Sequence, residues 1–248
     1  KDSKAPVGSL IGIYPIQGKG VVNGSSHKKL LAIGNLKQPV HAWGEIYTGI
    51  SAKDYMDGTS NFYGVHSVTL YVDSVQVFNS TTDKVLPDEN RMINGFTDYE
   101  ELTRTRRLIM RSYKLPGNRL RLLHPNENRG AVTIDEERDY HFRYVLEDNF
   151  GNRRTYQFIV KGKRQDIPEY KPEANEMLYW NRTNVIQKPG MELVVPRYYV
   201  YEDVPLRTDM RGDSSHIAFD YILDAGRTPI HSYCDLSIGL RHMPVADT

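Results

Sequence analysis

The stretch YHFRYVLEDNFGNRRTYQFIVK, Tyr140 to Lys161, decides the fold. Tyr140, Phe142, Tyr144 and Leu146 alternate with other residues, Asp148-Asn149-Phe150-Gly151-Asn152 turns the chain, and Tyr156, Phe158 and Val160 resume the alternation. Successive strand side chains point to opposite faces, so a period of two around an Asn/Gly turn predicts a half-buried antiparallel hairpin. A matched passage runs from Trp43 to Phe78. There Ile46, Thr48, Ile50 and Ala52 alternate, Asp57-Gly58-Thr59-Ser60-Asn61 forms the turn, and Val68, Leu70 and Val72 follow.

Outward from these two passages, further strands are predicted at Leu10 to Ile16, Val75 to Asn79, Arg119 to Leu123 and Ala131 to Ile134. About seven or eight short strands with frequent turn signals predict an immunoglobulin-like β-sandwich. One interruption is expected, a short helical insertion near 97–111. Thr97 or Asp98 can cap it, Glu100 and Glu101 sit in its first turn, and Pro116-Gly117 stops the segment. The polar run Gly162 to Pro172 reads as a boundary, giving one module over 1–163 and a second over 164–248. In the second, Leu193 and Val195, Tyr199 and Tyr201, Ile217 to Leu223, and Leu236 to Leu240 again alternate. These make four to six strands where a sandwich takes about seven. The expectation is therefore an all-β chain of two immunoglobulin-like modules, the second smaller or truncated.

Composition bounds the function. Lys plus Arg, 32, nearly balances Asp plus Glu, 31, so no global field favours nucleic acid or an anionic membrane. No stretch approaches the roughly 20 apolar residues of a membrane span. The chain opens on Lys1-Asp2-Ser3-Lys4 rather than on Met and an apolar targeting segment, which reads as a piece of something longer. The single Cys234 rules out an internal disulfide and lacks a base beyond His231.

Each chemical motif competes with a plainer reading. His216-Ile-Ala-Phe-Asp220 and His231-Ser-Tyr-Cys-Asp235 both match His-x-x-x-Asp, and residues four apart on a strand share a face, so a two-ligand metal site is geometrically allowed. Neither is followed by His-x-His, and satisfied strand histidines explain both. Asp54, Asp57 and Asn61 around Gly58, and Asp148, Asn149 and Asn152, offer oxygens to Ca²⁺ without EF-hand spacing. Turn formation explains those residues equally directly. Arg104, Arg106, Arg107, Arg111, Arg119 and Arg121 concentrate guanidinium groups suited to carboxylate or phosphate. The glutamates nearby favour surface ion pairs. The chain carries 17 tyrosines, and with Trp180 several of them can form a sugar-stacking platform, though aromatics also simply suit strands.

Longer stretches carry a resemblance. Trp43-Gly44-Glu45-Ile46, Tyr55-Met56-Asp57-Gly58-Thr59-Ser60-Asn61, Leu70-Tyr71-Val72-Asp73, Pro116-Gly117-Asn118-Arg119-Leu120 and Asp148-Asn149-Phe150-Gly151-Asn152 resemble the region after the catalytic domain in secreted M23-family (LytM-like) zinc endopeptidases of Gram-negative bacteria. Trp180-Asn181-Arg182-Thr183-Asn184 and Pro189-Gly190-Met191-Glu192-Leu193 extend the likeness. The resemblance implies a periplasmic or envelope location and a peptidase domain elsewhere in the same polypeptide, which would carry the zinc. It also implies peptidoglycan as the parent protein's substrate. No catalytic residue, metal ligand or cofactor transfers to this chain, whose expected role is non-catalytic: positioning the peptidase, or docking to cell wall or to another envelope protein. The Arg104 to Arg121 surface is the first expected contact. The alternative is a carbohydrate-binding module using Trp180 and the tyrosines.

Overall fold

The computed structural model describes residues 2–212 and 217–241 of the chain. The chain divides into two compact units, residues 1–114 with 119–170, and residues 115–118 with 171–248. The all-β expectation holds, since strands dominate both units and, among the described residues, the α-helices are two short pieces.

Unit 1 contains β1 (Val7–Val22), β2 (Lys29–Ala32), β3 (Val40–Tyr55), β4 (Phe62–Tyr63), β5 (Ser67–Val72) and β6 (Val75–Thr81). After the helical interruption come β7 (Met110–Arg111), β8 (Leu123–Pro125), β9 (Val132–Ile134), β10 (Asp139–Glu147) and β11 (Arg153–Gly162). All eleven belong to one sheet with the path β2-β1-β3-β11-β10-β5-β6-β8. The expected pair of stacked immunoglobulin-like sheets is therefore replaced here by a single sheet curled into a half-barrel. The reason lies in β3, whose 16 residues are too long for one partner. β1 pairs along one edge, while β11, β9 and β7 take the other edge in turn and β4 pairs the last two residues. A register shift between Pro15 and Gly20 bends β1 against β3.

Gly44 shows why Trp43-Gly44 interrupts the alternation. Its φ is +77°, and a Cβ there would lie 2.1 Å from the Lys19 carbonyl oxygen opposite, so only glycine lets the bulged strands approach. The concave core is filled by Ile11, Ile13, Ile46, Ile50, Leu70, Ile134, Phe142 and Leu146, all fully buried. Tyr144 joins them but carries a hydroxyl. That group lies 2.7 Å from Thr48 Oγ1 and 2.8 Å from Ser112 Oγ, so the deepest polar atoms satisfy each other.

The helical insertion is shorter than 97–111 and begins earlier, as α1 (Ile93–Phe96) and α2 (Tyr99–Thr105). Asp98 caps α2 by accepting the Glu101 amide, and Arg106 in the left-handed conformation ends it, returning the chain to strand at β7. The strand expected over Arg119 to Leu123 starts only at Leu123, because the Arg121 amide and guanidinium are both drawn to Glu89 instead of a ladder.

Unit 2 holds β12 (Glu176–Leu178), β13 (Asn184–Lys188), β14 (Met191–Val195), β15 (Val204–Arg211), β16 (Asp220–Asp224) and β17 (Asp235–Ile238). They form two three-stranded antiparallel sheets, β12-β15-β16 and β13-β14-β17. Leu178, Ile186, Val195, Val200, Val204 and Leu206 make their common core. Tyr199 and Tyr201, expected on a strand, instead lie in a turn that Tyr198 enters at φ +68°. Among the described residues no helix is long and apolar enough to cross a membrane.

Candidate functional site

The outward face of the β10–β11 hairpin is the complement of its apolar inner face. His141 pairs with Ile159 and Arg143 with Gln157, leaving these side chains on the side away from Phe142 and Phe158. The loop before β3, Leu36 to Pro39, stands beside this face, and Ser74 of the β5–β6 turn bounds it. Together they enclose an open cleft of about 630 Å³. Lys37, Arg143 and Lys161 contribute cationic groups and His141 an imidazole, and no carboxylate lines the cleft. In a chain of formal net charge +1 this is a local positive pocket with an apolar floor. Arg143 is held against the Tyr71 ring, 4.1 Å from its centroid, which restrains the guanidinium.

The arginines singled out in the sequence are largely engaged within unit 1. Glu101, 1% exposed, accepts from Arg104 at 2.9 Å, from Arg107 at 3.3 Å and from the Thr105 hydroxyl, and Lys28 approaches it at 3.3 Å. Burial opposes ionisation of Glu101, yet the hydrogen bonds from Arg104, Thr105 and Lys28 outweigh it and hold its carboxyl below the usual range. Lys28 also donates to Asp98 at 2.6 Å, and Asp98 accepts from the buried Tyr14 hydroxyl. Burial and the adjacent Asp98 charge push that phenol far up. Arg121 forks onto Glu89 through Nε at 2.7 Å and Nη2 at 3.1 Å. Arg106 is the helix-ending residue, Arg111 lies on β7, and Arg119 is exposed. These groups organise the insertion between β6 and β8.

Two acidic turns that sequence alone left as turn chemistry come together. Asp54 at the end of β3, Asp148 at the start of the β10–β11 turn and Asp2 each offer an oxygen, and these atoms lie within 4.8 Å of one another. The three residues are 7%, 2% and 6% exposed. Asp148 accepts from the Phe150 and Asn152 amides and from Asn152 Nδ2 at 2.7 Å. Burial opposes its charge, but those donors hold its carboxyl below the ordinary value. Among the described residues Asp54 accepts only its neighbour's amide, and burial followed by the Asp148 and Asp2 charges raises its carboxyl above the ordinary range. Carboxylates this close repel by at least about 3 kcal/mol per pair at an effective dielectric of about 20. Asp2 was missed in the sequence because it stands ahead of any strand, and only the fold brings it beside the two turns.

Among the described residues, those of the two His-x-x-x-Asp matches are not assembled in this way. Asp220 begins β16 and Asp235 begins β17, in different sheets, and both are exposed. His231 places Nδ1 3.1 Å from the Tyr201 hydroxyl. His216 lies outside the described residues. Trp180 is partly buried against the unit 2 core and meets Tyr198 at 6.0 Å, while Arg182 covers Tyr179 at 3.9 Å. Cys234 packs on the same core, and burial followed by the Asp235 charge pushes its thiol up.

No curated protein and no solved structure matches the chain. Residues 175–248, essentially unit 2, match the family described as the Zu5-like domain.

Proposed function

We propose that this chain is a non-catalytic accessory region of an exported, envelope-located M23-family zinc peptidase, and that unit 1 docks anionic, amide-rich cell-wall material beside the peptidase. Unit 2 is read in the same proposal as a reduced immunoglobulin-like module. The origin rests on the resemblance carried by Trp43-Gly44-Glu45-Ile46 and Asp148-Asn149-Phe150-Gly151-Asn152. The docking role rests on one observation, the cleft whose lining carries Lys37, Arg143, Lys161 and His141 and no carboxylate. Stem peptides combine free carboxylates with amides and small apolar groups. Cationic groups around an apolar floor with Gln38 and Gln157 complement that chemistry. The cleft displaces the Arg104 to Arg121 surface as first candidate contact, since Glu101 and Glu89 draw in Arg104, Arg107 and Arg121.

Co-sedimentation with purified peptidoglycan tests the reading. The triple charge reversal Lys37→Glu, Arg143→Glu and Lys161→Glu is expected to weaken binding about tenfold or more. Retention of full binding by that variant would remove the cleft from the interface. Binding of soluble neutral oligosaccharide that disappears in Trp180→Ala would instead favour the carbohydrate-binding alternative on unit 2.

A further inference from the structure

We propose that Asp2, Asp54 and Asp148 form a Ca²⁺ site that clamps the lead-in to β1 onto the end of β3 and the β10–β11 turn. The cluster alone would not carry this, since acidic groups often gather without a metal. The second observation is the state of Asp2. Its Oδ1 accepts the Lys4 amide at 3.3 Å and the Asp57 amide at 2.9 Å, which fixes the carboxylate. Its Oδ2 is buried with no hydrogen-bond donor. A buried carboxylate oxygen left bare among two further carboxylates is a costly arrangement for a protein alone, and a cation removes the cost. Among the described residues no Lys or Arg forms an ion pair with any of the three; Lys4 turns to Asp57 instead, at 3.8 Å.

The donor set selects the metal. All ligands are carboxylate oxygens, with neither nitrogen nor sulfur, which suits a hard cation and not zinc. Donor atoms within 4.8 Å of one another are no farther apart than two Ca–O bonds of about 2.4 Å, and a buried cage of protein carboxylates suits Ca²⁺, whereas Mg²⁺ gives up its waters reluctantly. Each ligand is oriented from behind: Asp148 by Asn152, Asp54 by the Tyr55 amide, and Asp2 by the Lys4 and Asp57 amides. Asn152 also donates to the Asp2 carbonyl, tying the same segments together.

The test is calorimetric titration of the intact 248-residue chain with CaCl₂ after chelator treatment, paired with thermal unfolding. One Ca²⁺ per chain is expected, with a Tm that rises in about 2 mM CaCl₂ and falls back on adding chelator. Asp54→Asn and Asp2→Asn should each weaken Ca²⁺ binding about tenfold or more while leaving the metal-free protein folded. Absence of Ca²⁺ binding by the wild-type chain overturns the proposal. So does Ca²⁺ affinity that is unchanged in both variants, or a stronger response to Mg²⁺ than to Ca²⁺. None of these outcomes depends on peptidoglycan binding.

Discussion

Glu89 shows how one buried carboxylate sets a pH response. Its oxygens accept the Arg121 guanidinium twice, the Arg121 amide and the Leu86 amide. Chiefly through the Arg121 hydrogen bond, and against burial, the carboxyl is pulled down from 4.5 to about 2. A carboxyl depressed in the folded state stabilises the fold fully above its unfolded value. That contribution fades as pH falls, because the unfolded chain takes up a proton first. Urea midpoints of the wild type should therefore drop between pH 4.5 and about 2 more steeply than those of Arg121→Ala. Equal slopes for the two proteins would sink the assignment. This pairing was half legible in the sequence, where ion pairing was weighed for the arginine-rich stretch. Glu89 itself lies over 30 positions from Arg121 and outside any predicted element, so its identity as partner was not.

At the scale of elements, the period-two passages located their strands because burial on one face imposes the alternation whatever the neighbouring strand. Tyr140, Phe142, Tyr144 and Leu146 all face the core, and β10 pairs in register with β11 as the turn required. What alternation does not encode is partner choice. β3 looked like an ordinary strand, yet its length lets several short strands share one edge, while the glycine at position 44 lets the bulged β1 approach the other. Gly44→Ala should cost about 2–4 kcal/mol, combining a side chain at φ +77° with a steric conflict at the Lys19 carbonyl. Urea unfolding at constant m-value measures this. A loss under about 0.5 kcal/mol would show that the bulge relaxes freely. Short strands such as β4 and β7 escaped the sequence for a related reason: two residues hold no period.

For the whole molecule, the two acidic turns were visible as oxygen-rich loops, but their convergence on Asp2 depends on β3 and the β10–β11 hairpin meeting. The cleft was invisible for the same reason, its wall being a loop near residue 37 and its floor a hairpin about 100 residues later. The parallel register that joins them, Val40 with Val160 and Ala42 with Gly162, carries a kinetic consequence. Closing a loop of about 120 residues costs entropy that no local contact repays in advance, so this pairing belongs late in folding. A chain ending at residue 138 keeps β1 but lacks β11, so hydrogen-exchange protection is expected to be lost around residues 40–42, and native-like protection there would refute it. During synthesis, then, the strand on which unit 1 is built is among the first to emerge, while its first residues, 40–42, are among the last to be secured.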